Sequence, residues 1–161
     1  LLLTLLICVG LSAPAFGAGS PAKPSVAPEV RDYNRGVSLM MDKKFTKAED
    51  RFRKALSRKE TFPEAHNNLA YVLRKQGPEY YDEALVHYNR AIELEPELAE
   101  PYMYRGVLYI QLDNRALAEK DYQILQQLDK DLAGELRYVI DNGREKEPEQ
   151  FFGVSKKIKV R

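Results

Sequence analysis

His66 and His87 are the chain's two histidines and Cys8 its one cysteine, so the side chains that most often serve as bases, nucleophiles or soft metal ligands are scarce. General acid–base or nucleophilic chemistry needs at least two such groups held together by a third. Metal binding needs three or four His, Cys, Asp or Glu at ligand spacing. Neither pattern is present in the sequence. Both histidines fall within helical repeats and read as packing residues, His87 directly before Tyr88. Glu93, Glu95, Glu97 and Glu100 crowd one stretch, which reads as a solvated charged face at a helix end. Glycine-rich phosphate loops and nucleophile motifs are missing. The sequence therefore predicts no enzyme, no cofactor and no metal site, and the side chains left to do chemistry are those that bind: amides, tyrosines, methionines and arginines.

What must position them is a repeat. Gly36, Ala70 and Gly106 recur at spacings of 34 and 36 residues. Ala48, Ala84 and Ala118 recur at 36 and 34, as do Phe52, Tyr88 and Tyr122, and Ala55, Ala91 and Leu125. The middle unit carries two extra residues around Gly77-Pro78-Glu79-Tyr80-Tyr81, where Gly and Pro mark a turn that tolerates insertion. A period of this length means stacked supersecondary units. Each unit reads as two helices. Small residues on both let the backbones approach, and an aromatic four residues after the second small residue fills the same face one turn on. Pro96 stops the helix that contains Glu93 to Glu95.

The middle unit, Asn68-Leu69-Ala70-Tyr71 followed by Tyr81-Asp82-Glu83-Ala84 through Tyr88, Ala91 and Pro96, resembles the tetratricopeptide repeat. The first unit departs from the family pattern with Glu60 in place of the terminal proline and Lys43 where glycine is favoured between helices. The third has Leu125 for the second alanine and Lys130 near the expected proline. The resemblance covers residues 29 to 132 and implies an all-α, tetratricopeptide-type α-solenoid of antiparallel helix pairs.

The family uses the first helix of each pair to line a concave groove. Carried over, the groove takes Tyr33, Val37 and Met40 from the first unit, Asn67, Tyr71 and Arg74 from the second, and Met103, Val107 and Ile110 from the third, with Asn34, Asn68 and Tyr104 on an adjacent stripe. The i, i+3/i+4, i+7 spacing puts each set on one face. Val37, Val107 and Ile110 serve equally as packing between helices, whereas Tyr33, Tyr71 and Arg74 are expected to be open in the groove. Family members that grip a chaperone's C-terminal carboxylate use Lys, Asn and Arg at defined sites. Here Asn68 alone matches, and Tyr33, Val37, Glu100 and Tyr104 occupy the others. The resemblance therefore implies a non-catalytic interaction or scaffold module that takes an apolar peptide or a helix of a protein partner in its concave groove, asparagines bonding its backbone, with no nucleic acid and no small-molecule substrate. A structural protein that self-associates through its groove is the rival reading.

The 161 residues suffice for one domain, and the net charge of +1 argues against nucleic acid or an anionic membrane as a general partner. Leu1 to Leu11 form an apolar run of signal-peptide length, and Ser12 to Ala18 supply small residues for cleavage. No basic segment or initiator Met precedes the run, so the leader reads as incomplete. It is short for a membrane span. Residues 1–18 are thus expected to be a signal peptide and 19–28 a flexible linker. Residues 29–143 would form the repeat domain with a capping helix, and 144–161 a C-terminal tail. Export to the periplasm or beyond follows, the alternative being an anchor formed by an uncleaved N-terminal segment. Membrane contact is expected only through that segment or the basic tail.

The helices are expected at 29–42 with 45–58, 63–76 with 80–94 and 98–112 with 115–128. A seventh, at 131–143, carries an apolar stripe of Leu132, Leu136, Val139 and Ile140 that caps the solenoid. The tail opens with a polar linker, Glu145 to Gln150, then holds apolar Phe151-Phe152-Gly153-Val154 and the basic, alternating Ser155-Lys156-Lys157-Ile158-Lys159-Val160-Arg161, which suits either a frayed end or a segment that docks on its own domain, a partner or an anionic surface. Sequencing of the exported product should find its first residue between Phe16 and Gly19. Recovery of a membrane-embedded product still carrying Leu1 to Leu11 would refute cleavage.

Overall fold

The computed structural model describes residues 26–146 and 155–159. The expected signal peptide and nearly all of the linker, like Phe151-Phe152, lie outside the described residues. The described residues form seven α-helices and no strand: α1 (Pro28–Met41), α2 (Phe45–Arg58), α3 (Pro63–Gln76), α4 (Tyr81–Leu94), α5 (Glu100–Gln111), α6 (Arg115–Leu128) and α7 (Lys130–Asn142). Each expected helix is present within two residues of its expected ends. Consecutive helices pack as pairs, α1 with α2, α3 with α4 and α5 with α6. α7 lies against both helices of the last pair.

The turn chemistry explains how the pairs are joined. α1 ends with the Lys43 N–H bonded to the Met40 carbonyl and the Lys44 N–H to the Leu39 carbonyl. α5 ends identically, through Asp113 to Ile110 and Asn114 to Tyr109. This doubled bond pattern puts the residue after the helix in the left-handed region. Lys43 (φ 57°) and Asp113 (φ 56°) both adopt it, although glycine would do so without steric cost. The middle pair solves the same problem differently. Gly77, at φ 148°, leaves α3, and Pro78–Tyr80 form one 3₁₀ turn before α4. The two-residue insertion read from the repeat spacing is this turn.

Close packing follows from the small residues, with one adjustment to the expectation. Ala48, Ala84 and Ala118 are fully buried. Gly36 makes room for a ring rather than a backbone: a methyl group there would sit 2.6 Å from Phe52. Gly106 makes room for the capping helix, since its methyl group would sit 2.5 Å from Leu136. Phe52 and Tyr88 are completely buried, but Tyr122 is only half-buried. It is the last of the series, and its outer side meets the Arg137 guanidinium of α7, 5.2 Å from the ring centre, instead of another repeat. Leu132, Leu136, Val139 and Ile140 are buried, so the stripe on α7 covers the open end of the solenoid. Asp129 caps α7 by accepting from the Asp131 and Leu132 N–H groups, and Gly143 at φ 69° ends it. Among the described residues no helix is long and apolar enough to cross a membrane.

Ala48→Leu and Ala84→Leu should each overpack a closed contact and lower stability by about 1–3 kcal/mol. Val86→Ala, at an exposed site on α4, should stay within about 0.5 kcal/mol. Urea titration followed by circular dichroism measures all three.

Candidate peptide-binding groove

The inner helices α1, α3 and α5 bring the expected groove residues together, but the face they form is not open. Tyr33, Met40, Asn67, Asn68 and Tyr71 are 0% exposed, and Tyr104, Arg74 and Met103 are 1%, 3% and 4% exposed. The expectation that Tyr33, Tyr71 and Arg74 are open is therefore not met. For Tyr33 the reason is the chain's own tail, which lies across α1 and α3.

Two asparagines hold that tail by its main chain. Asn68 accepts from the Ser155 N–H at 2.8 Å and donates its amide to the Ser155 carbonyl at 2.8 Å. Asn34 does the same for Ile158, at 2.8 Å and 2.9 Å. A carboxamide carries a donor and an acceptor side by side, so it satisfies both polar groups of one residue in an extended strand. Asn34 and Asn68 are one repeat apart, whereas Ser155 and Ile158 are three residues apart. Three residues of extended chain advance about 10 Å, and at that spacing one amide on α1 and one on α3 each take a residue of the tail. Tyr104 holds the corresponding place on α5 and carries a phenol in place of an amide.

Tyr33 and Asn67 complete the clamp. The Tyr33 hydroxyl lies 2.8 Å from the Lys156 carbonyl and 3.1 Å from that of Ser155, and it accepts from the Asn68 amide at 3.1 Å. Burial, with the carboxylates of Glu64 and Glu100 adding to it, pushes the phenol far above its ordinary value and keeps it a neutral donor. Asn67 donates to the Ser155 hydroxyl at 3.2 Å. Ser155 is 3% exposed and Ile158 packs on the core, while Lys156, Lys157 and Lys159 face solvent.

Arg74 is a second anchor rather than an open groove cation. Its guanidinium sits 5.5 Å and 5.0 Å from the ring centres of Tyr71 and Tyr104. It donates to both carboxylate oxygens of Glu145, at 2.9 Å and 3.1 Å, and to Gln111 at 3.2 Å. Burial alone would lower its pKa, but the adjacent Glu145 carboxylate overrides that and holds the charge. Tyr71 is sealed between Phe45 and Tyr104, with ring centres 6.2 Å and 4.8 Å away. Val37 and Val107 are buried, as their packing role requires, and Ile110 is half-buried.

The sequence missed Glu145, Ser155 and Ile158 as site residues. Glu145 read only as part of the C-terminal tail, because its partner Arg74 is 71 positions away. The pair of half-buried Arg105 and buried Asp121, at 2.6 Å between α5 and α6, was missed too and ties that helix pair together.

The histidines form a pair that spacing alone did not show. Their Nδ1 atoms are 2.9 Å apart, and His66 Nε2 is 2.8 Å from the Glu60 carbonyl. A carbonyl only accepts, so His66 carries its proton on Nε2 and accepts at Nδ1 from His87. No third ligand joins them among the described residues. Burial, and for His87 the neighbouring His66, lowers both pKa values from 6.5, His87 to about 4. Of the four glutamates read as a charged face, Glu93, Glu95 and Glu97 are exposed, while Glu100 is half-buried and its pKa is raised by burial and nearby carboxylates.

The family model described as TPR repeat matches residues 80–113. A UDP-N-acetylglucosamine–peptide N-acetylglucosaminyltransferase of Giardia intestinalis (strain ATCC 50803 / WB clone C6) is 38% identical over 73 residues, 44% of this chain. The chain spans 5% of that relative's length. The first TPR of Spaghetti (RPAP3), solved bound to the HSP90 peptide SRMEEVD, superposes with a TM-score of 0.64 at 20% identity, over 71% of this chain and 91% of that one. Residues 80–113 thus match the TPR repeat, and the described residues have the all-α fold of a tetratricopeptide-type solenoid.

The histidine pair makes stability fall in acid. Between pH 6.5 and about 4 the unfolded chain binds more protons than the folded one, so stability is complete above pH 7 and is lost as pH falls through that window. Each such group loses up to about 1.4 kcal/mol per pH unit. The unfolding midpoint should drop between pH 7.5 and 5.5, and His87→Leu should flatten that drop.

Proposed function

We propose that the chain is a non-catalytic binding module that takes an extended peptide segment of a partner protein along α1 and α3. The single observation that carries this reading is the pair of amide clamps, in which Asn34 and Asn68 each bond the N–H and carbonyl of one residue of an extended strand. Recognition is then mainly of the main chain, with Asn67 and Tyr33 adding a preference at the first clamped residue. A bound C-terminal carboxylate would meet Glu100, already crowded by Glu64, Glu95 and Asp129, and the one buried arginine beside the groove already has its carboxylate in Glu145. An internal segment, neutral or basic, fits better than an acidic terminus.

Export belongs to the same proposal. It is supported by the apolar run at Leu1 to Leu11, the small residues after it and the Pro- and Ala-containing stretch that follows. The module would then act as a scaffold in the periplasm or outside the cell.

A random peptide library displayed on phage and selected against the chain tests the binding reading. Selected peptides should shift the side-chain amide resonances of Asn34 and Asn68 in nuclear magnetic resonance spectra. Asn34→Ala should weaken them about 30-fold, as expected for two lost hydrogen bonds of roughly 1 kcal/mol each. Val86→Asp, on the outer face, should leave affinity unchanged. Shifts confined to the outer faces of α2, α4 and α6 would overturn the assignment.

A further inference from the structure

The clamp described above is filled by the chain itself, and this has a consequence for any partner. Ser155 lies at the Asn67–Asn68 position with its hydroxyl bonded and its side chain enclosed. Ile158 lies at Asn34 with its side chain against the core. The three lysines between and after them point outward. The segment thus presents a small residue, two outward-facing residues and an aliphatic residue in the register of the two clamping amides. The same chain is fastened upstream, where Glu145 pairs with Arg74 on α3. Only the nine residues 146–154 separate that anchor from Ser155. Both anchors lie on α3, so a short connection holds the segment beside its site.

We propose that residues 155–159 are a built-in competitor for the groove. The chain is closed in cis by its own tail, and a partner gains entry by offering a segment of the same chemistry: extended, small at the first clamped position, aliphatic three residues on, and basic at the outward positions. This rests on the reading of the groove as a peptide site. The outward lysines suit it because Glu64 and Glu100 act on the Tyr33 hydroxyl at the same place. A short tether gives an effective concentration of ~1 mM. A free peptide with an intrinsic Kd of ~0.1 mM then binds the closed chain about tenfold more weakly than the open one.

The test uses the full chain and a fluorescein-labelled peptide of the sequence of residues 153–161. In one variant Ser155→Tyr is combined with Ile158→Glu, which makes the tail too large at one clamp and too polar at the other. These positions lie outside every helix, and circular dichroism should be unchanged. The peptide should bind this variant about tenfold or more tighter than it binds the unaltered chain. In the unaltered chain the Ile158 amide should be protected from hydrogen exchange, and in the variant the Glu at that position should not be. Equal, measurable binding to both proteins would overturn the competitor and leave the groove as a peptide site. No binding to either, with the Ile158 amide unprotected in the unaltered chain, would overturn the groove itself. An unaltered chain that sediments as a dimer, its tails exchanged between copies, would overturn closure in cis.

Discussion

Phe52 rests against Gly36 with no space for even a methyl group between them, and much else in the molecule depends on contacts of this kind. A helix pair with one apolar face cannot bury that face alone, so each pair needs its neighbour. The closeness of approach fixes how the next pair is set and therefore the step between α1 and α3. That step is what lets Asn34 and Asn68 reach residues three apart on one extended strand. Binding geometry is thus inherited from packing: the amides do the recognising, and glycine, alanine and aromatic side chains set the distance between them.

The inner face is unusual for carrying fully buried amides. A buried carboxamide without partners costs stability, and the handful of helix-to-helix bonds available on α3 does not meet the needs of Asn67 and Asn68 together. The segment at residues 155–159 partners both polar groups of the Asn68 amide and accepts from the Asn67 amide through the Ser155 hydroxyl. The groove's polarity and its occupant are therefore one arrangement, which is why the tyrosines and the arginine expected to be open are enclosed. Arg74 shows the same logic for charge. A guanidinium enclosed by two tyrosine rings has to be met by a carboxylate, and Glu145 supplies it from the chain that leaves α7.

Several features were legible because they are local or periodic. The repeat spacing located six helices and the insertion at Gly77 to Tyr81, and an apolar stripe located α7 and its capping role, since apolar periodicity and turn residues report on a few neighbouring positions at a time. The inner-face residues were legible through the family resemblance, which placed all twelve of them on α1, α3 and α5. Lys43 was recognised as sitting where glycine is favoured. That it keeps the left-handed conformation nonetheless follows from the paired turn bonds, which outweigh its steric cost.

The repeat, its helix pairs and the identity of the inner-face side chains follow from the order of residues. That the face is filled, and by which segment, follows from the packed molecule. Ser155 meets Asn68 across 87 positions, Glu145 meets Arg74 across 71, and His66 meets His87 across 21. No periodicity connects such positions, because each contact exists only after the helices have stacked and the chain has turned back at Gly143. Local pattern fixes elements through interactions within a turn or two, whereas partner choice among buried polar groups is settled by which donors and acceptors the assembled solenoid leaves unmet.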